Sequence, residues 1–135
     1  MIRVTLGFAC VLAVACGGQS INRDDTLRRL SDAIQAPVSS PEEAAQSSRL
    51  VEQVVEEGML EDMTRQEVSA AIGRGDDCSR HPRCAEAGFE DDDWFYNVGQ
   101  MGEGATGALP ILIVGFDRFG KVTSTWNLRV HDDPG

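Results

Sequence analysis

LPILIVGFDRFGKVTSTW, residues 109–126, decides the fold. Leu109 to Phe116 is an unbroken apolar run, which reads as a central strand buried on most of both faces. Asp117-Arg118-Phe119-Gly120 supplies the turn residues that reverse the chain. Beyond it Val122, Trp126, Leu128 and Val130 alternate with Lys121, Thr123, Thr125, Asn127, Arg129 and His131. That period of two predicts one inward row, with Ser124 as its single polar member. Upstream, DWFYNV (residues 93–98) alternates as well, Trp94, Tyr96 and Val98 against Phe95 and Asn97. Three strands in succession with hairpin connections predict an antiparallel sheet.

Working back towards the amino terminus, the period changes to that of helices. Ser40-Pro41-Glu42-Glu43 has the form of a capping box with proline at the first helical position. Leu50, Val51, Val54 and Val55 form an apolar stripe, and Gly58 supplies a stop. Thr64-Arg65-Gln66-Glu67 is a second capping box, with Val68, Ala71 and Ile72 on one side and Gly73 as terminator. The expected class is therefore α+β, two helices packed on a three-stranded antiparallel sheet. Residues 16–40 read as a polar tether. It carries one weak amphipathic helix over 24–36, with Leu27, Leu30, Ala33 and Ile34 spaced for one face. Whether that helix docks is open at this level.

The first residues have another texture. In MIRVTLGFACVLAVAC, Arg3 and the amino terminus are followed by a charge-free stretch from Val4 to Ala15. A membrane-spanning helix needs about 20 apolar residues, so the stretch suits a signal segment instead. It closes on Ala13-Val14-Ala15-Cys16 and then Gly17-Gly18. This resembles a bacterial lipoprotein signal, cleaved before a cysteine that receives the lipid, although Ala13 stands where such signals prefer Leu. The resemblance implies a signal peptide over 1–15, a lipid anchor on Cys16 and attachment to the outer membrane, facing the periplasm. An ordinary secretory signal cut near Ala15, leaving Cys16 free, is the alternative. Cys10 also follows an alanine, but its apolar stretch would be too short.

Cys78-Ser79-Arg80-His81-Pro82-Arg83-Cys84 holds the remaining cysteines. A zinc site usually takes four ligands, and no second Cys/His pair accompanies this one. An exported chain can form disulfides, so a Cys78–Cys84 bond is favoured over metal. Closing so short a ring contributes about 2 to 2.5 kcal/mol on chain-entropy grounds. Glu90-Asp91-Asp92-Asp93 lacks the spacers and glycine of a calcium loop and reads as a solvated edge. Gly102-Glu103-Gly104-Ala105-Thr106-Gly107 spells G-x-G-x-x-G. A strand follows it where dinucleotide binding needs a helix, so it reads as a hairpin loop and no nucleotide or other cofactor is expected. The only histidines are His81 and His131, and no nucleophile motif occurs, so no catalytic residue is assigned and the chain is not read as an enzyme.

Composition sets the outer limits. At 135 residues and a formal net charge of −10, the chain is too small for a large barrel enzyme and the wrong sign for nucleic acid. Lys121 is its only lysine.

GMLEDMTRQEVSAAIG (58–73), DWFYNV and LPILIVGFDRFGKVTSTW together resemble the SmpA/OmlA (BamE-like) domain. The matching positions are Met63, Thr64, Val68 and Gly73, then Trp94 and Tyr96, then Phe116, Asp117, Gly120 and Val122. Leu60-Glu61-Asp62 and the cysteine-bearing segment Asp76 to Phe89 are additions to that pattern. The resemblance implies a domain over 41–131 with a short tail, 132–135. It also implies a non-catalytic adaptor role with a protein partner, as an accessory of β-barrel outer-membrane protein assembly. A periplasmic or surface inhibitor of the β-lactamase-inhibitor-protein kind is the alternative, with the acidic surface and the 99–107 loop as contact elements.

Overall fold

Residues 11–102 and 109–127 are described in a computed structural model, the side chains of 11–21 excepted. Residues 103–107 of the glycine-rich loop, Cys10, His131, and Leu128 and Val130 of the expected inner row lie outside the described residues. The class is α+β. Helices α1 (Val11–Gln35), α2 (Pro41–Glu56), α3 (Arg65–Ile72) and the short α4 (Pro82–Glu86) accompany six strands. These are β1 (Pro37–Val38), β2 (Asp76–Asp77), β3 (Trp94–Asn97), β4 (Gln100–Met101), β5 (Ile111–Phe116) and β6 (Val122–Asn127).

The main sheet has four strands in the order β2-β3-β5-β6, all antiparallel. The expected three-stranded meander is its β3-β5-β6 part. The addition is β2, where Asp76 and Asp77 sit opposite Phe95 and Trp94. Two acidic residues in a row carry no strand period, which is why the sequence gives no sign of them. A separate pair, β1 with β4, runs parallel. It arises because the chain leaving α1 is stitched to the chain leaving β3. Gly99 N–H donates to the Ile34 carbonyl (3.2 Å), Gln100 N–H to Ala36 (2.9 Å) and Gly102 N–H to Val38 (3.0 Å). Gly99 suits this crossing, since its φ is +117° and a Cβ there would come within 2.6 Å of Val38 Cγ2.

One face of the sheet carries the main core. Trp94, Tyr96, Val98, Leu112, Val114 and Val122 pack with residues of the helical layer and the Met59–Met63 turn. Helix α2 starts at Ser40, whose hydroxyl accepts from the Glu43 N–H; the Glu43 carboxylate accepts from that same hydroxyl, so only half of the expected capping box is built. At Thr64 the box is complete in both directions. Helix α1 answers the question the sequence leaves open. Leu27 and Leu30 are buried in the core, with Ala33 and Ile34 packed beside them, so this face docks on the domain rather than riding on a tether. Its weak amphipathicity in sequence reflects how narrow the buried stripe is.

The opposite face has its own small core: Phe95, Ile113 and Trp126 beneath the Cys78–Cys84 loop, with Phe89 and Ile111 at its margin. A bulge decides which residues reach it. Phe116 pairs with Val122 but Gly115 pairs with Ser124, so Thr123 is an extra residue in β6. The bulge reverses the facing of everything after it. Val122 remains on the helical side while Trp126 turns to the cysteine side, which splits the single inward row expected from the period of two. Gly115 makes room for Phe89 on this face, because a Cβ there would meet its ring at 2.8 Å.

Candidate functional site

Cys16 lies within α1, eleven residues before the buried Leu27; its side chain is outside the described residues. At 1.5 Å per residue the helix spans about 16 Å between the two positions.

Cys78 and Cys84 are disulfide-bonded, with Cα atoms 5.6 Å apart, and both are buried against the second face of the sheet. Between them His81 stacks flat on Phe95, with ring centres 3.8 Å apart and planes inclined by 7°. Its Nε2 stands 3.6 Å from a carboxylate oxygen of Asp76. A histidine beside an acid could activate a thiol, but both thiols here are consumed in the disulfide. Among the described residues no three His, Cys, Asp or Glu side chains gather as a metal site would require.

The acidic run divides. Glu90, Asp91 and Asp92 are exposed, but Asp93 is buried. Its carboxylate accepts from the Glu90 N–H and, across to the end of β5, from the Phe116 N–H, both at 2.9 Å. The second bond sits at the bulge, so Asp93 holds the register shift in place and is no part of a solvated edge. A hydrogen bond to a charged acceptor contributes about 1.5–3 kcal/mol. Asp93→Ala should therefore lower the unfolding free energy by about 2–4 kcal/mol in a urea titration, whereas Asp91→Ala should change it by less than about 0.5 kcal/mol.

Two surface features remain. A cleft of about 490 Å³ opens where β2, β3 and β4 meet the end of α1. Arg74, Asp76, Asn97 and Gln100 give it polar walls, and Met101 and Leu109 flank it beside the glycine-rich loop. Its polar groups are partly engaged. Tyr96 donates its hydroxyl to the Gly73 carbonyl at 2.7 Å, and burial pushes that phenol above its ordinary pKa. Arg74 bonds Asp77 at 3.2 Å while its guanidinium lies 5.5 Å from the Trp94 ring centre.

The second feature is the β5–β6 hairpin tip. Asp117 Oδ1 accepts from the Phe119 N–H (2.8 Å) and the Lys121 N–H (3.0 Å). These bonds, that to Lys121 foremost, hold the Asp117 carboxyl below its usual range. Phe119 is 75% exposed at the apex. In sequence it is one residue of a turn; its only signal is that an aromatic ring stands between Arg118 and Lys121 at an apex where turns are ordinarily polar. The tip is tied to the start of α3 by the Thr64–Lys121 bridge and by the Arg65 N–H bond to Gly120 (3.1 Å). One turn into α3, Glu67 is held below its usual pKa mainly by the Thr64 backbone, and the Lys121 and Arg23 cations act on it too. The hairpin tip and the start of α3 are therefore neighbours, and Arg23, midway along α1, lines a cavity with Met63 and Ala70.

Compared with known protein families, curated proteins and solved structures, the chain shows no significant match to any of them.

Proposed function

We propose that the chain is an outer-membrane lipoprotein, anchored through Cys16, whose small SmpA/OmlA-like (BamE-like) domain is a non-catalytic adaptor. The accessory role in β-barrel protein assembly follows from that resemblance. The observation that carries the reading is the join between leader and domain: an apolar segment ending in Ala15-Cys16 continues along α1 to Leu27 and Leu30, which are core residues. A domain built directly onto its anchor is held at a fixed, short distance from the bilayer. The β3-β5-β6 meander after two capped helices supports the family resemblance. The disulfide agrees with an exported location.

Stable anchoring takes more than one acyl chain, and lipidation of a cysteine on its sulfur and its new amino group would supply them. Cys16→Ser should move the protein from the membrane to the soluble fraction while leaving its thermal unfolding unchanged. Persistent membrane attachment of that variant would refute the anchor. The adaptor role is tested by co-purification from native membranes: recovery of a β-barrel assembly subunit is the expected result, and consistent recovery of a hydrolase instead would favour an inhibitor.

A further inference from the structure

Resting on the adaptor reading above, we propose that the outer edge of β3 at Asn97 is a strand-addition site: an extended segment of a protein partner pairs its backbone with Asn97 and sets a basic side chain beside Asp76.

The alternation of the strand leaves this one position open. Successive residues of an antiparallel strand turn their backbone N–H and C=O to its two neighbours by turns. Val98 N–H donates to the Pro110 carbonyl (2.9 Å), continuing the pairing with β5, so Asn97 and Gly99 face the other way, as Asp93 and Phe95 do. Three of these four have outer partners. Asp93 accepts from the Cys78 N–H (2.9 Å), Phe95 is paired with Asp76, and Gly99 donates to Ile34. Asn97 is exposed and has no outer backbone partner among the described residues.

The neighbouring chain is held away from this gap. Were β2 extended backwards, Arg74 would stand opposite Asn97, but the pairing stops at Asp76. The chain leaving α3 is drawn onto the helical face instead. There Gly73 takes the Tyr96 hydroxyl bond, and Gly75 lies so close that a Cβ would meet Trp94 Cβ at 2.8 Å and the Tyr96 ring at 2.9 Å. At the other end the tie from Gly99 to α1 closes the edge. From Phe95 to Gly99 the strand rises about 13 Å, which admits a short extended segment and no long strand. Asn97 lines the 490 Å³ cleft, which gives that segment its way in.

The two faces decide what the segment carries. A residue opposite Asn97 directs its side chain to the side that Asn97 shares with Phe95, which is the cysteine side. Asp76, opposite Phe95, is on that side too, its side chain 68% exposed. Arg74 is engaged on the other face, bonded to Asp77 and beside Trp94. A lysine or arginine opposite Asn97 is thus two places from Asp76 along one edge and on one face. The net charge of −10 favours a basic segment and opposes a second copy of the chain. Backbone pairing supplies the hold and the basic side chain the selectivity.

The test titrates the isotope-labelled full chain, carrying Cys16→Ser, with acetyl-Thr-Val-Lys-Val-Thr-amide and follows amide resonances and hydrogen exchange. The expected result is a saturable downfield shift and slowed exchange at the Asn97 amide, with Asp76 shifting alongside. In an antiparallel pair the central residue faces Asn97, so N-methylating its amide should abolish the effect, while methylating the next amide should not. Glutamate in place of the peptide's lysine should weaken binding about ten-fold. No shift at Asn97 in millimolar peptide, or a shift that survives central N-methylation, overturns the proposal. An Asn97 amide already protected without peptide means that the chain covers its own edge, and protection that rises with protein concentration means a second copy; either overturns it as well. Asn97→Pro removes the outward N–H without touching the β5 ladder, as edge positions allow, and should bind no peptide while unfolding at the parent temperature. Should that variant not fold, the two methylated peptides give the same answer on the unaltered edge. Co-purification from native membranes separates this site from the adaptor reading. A partner retained in full by Asn97→Pro overturns the edge and leaves the adaptor standing. Peptide binding with no partner recovered overturns the adaptor and leaves the edge.

Discussion

Leu30→Ala should cost about 2–5 kcal/mol of unfolding free energy, the range for removing a fully buried leucine side chain. Leu30 is 0% exposed and belongs to the same core as the sheet residues Trp94 and Leu112. Its helix, α1, packs on both α2 and α3. A leucine on a tether would cost less than about 0.5 kcal/mol when truncated. Chemical denaturation of the soluble Cys16→Ser form separates these outcomes, with exposed Arg29→Ala as a neighbouring control. A small loss at Leu30 would mean that α1 rides loosely. The short, fixed spacing between anchor and domain would then fail as well.

Trp126→Ala should cost about 3–5 kcal/mol, the range for a buried aromatic. The magnitude alone does not say which core the ring belongs to, but coupling does. Trp126 lies in the cluster that contains Cys78, Cys84 and Phe95, whereas Val122, four residues earlier on the same strand, lies in the helical core. Residues in contact show interaction energies of about 0.5–3 kcal/mol in double-mutant cycles, and separated ones add within about 0.5 kcal/mol. Trp126→Ala combined with Ile113→Ala, its partner across the β5–β6 pair, should therefore be non-additive, and combined with Val122→Ala additive. The reverse pattern would place Trp126 on the helical side and remove the bulge at Thr123.

These two positions also mark where sequence reasoning reaches its limit. Helices α2 and α3 were legible because capping residues, apolar spacing and terminal glycines agree, strands β3 and β6 because of period-two alternation, and β5 because of its unbroken apolar run. The Cys78–Cys84 pairing was legible from spacing and from the export that the leader resembles a signal for. What escaped has physical reasons. A bulge inserts one residue without altering the local alternation, so Val122 and Trp126 look equivalent until the pairing with Gly115 and Phe116 is known. Two-residue strands such as β1, β2 and β4 are too short to show any period. Leu27 and Leu30 make only a narrow stripe, and no local rule says whether a narrow stripe finds a partner. Asp93 sits in a run of four acids, and only its two backbone donors distinguish it from its neighbours. Phe119 was visible as part of a turn, but the turn's place beside the start of α3 depends on the Thr64–Lys121 bridge.

The claim on which anchor and role both depend is chemical: a lipid on Cys16. Mass measurement of the amino-terminal peptide from protein isolated out of native membranes tests it most directly. The account predicts a mature chain that begins at Cys16 and carries a mass increment of diacylglycerol plus an amide-linked acyl group. A peptide that begins elsewhere, or that begins at Cys16 with an unmodified thiol, would contradict it.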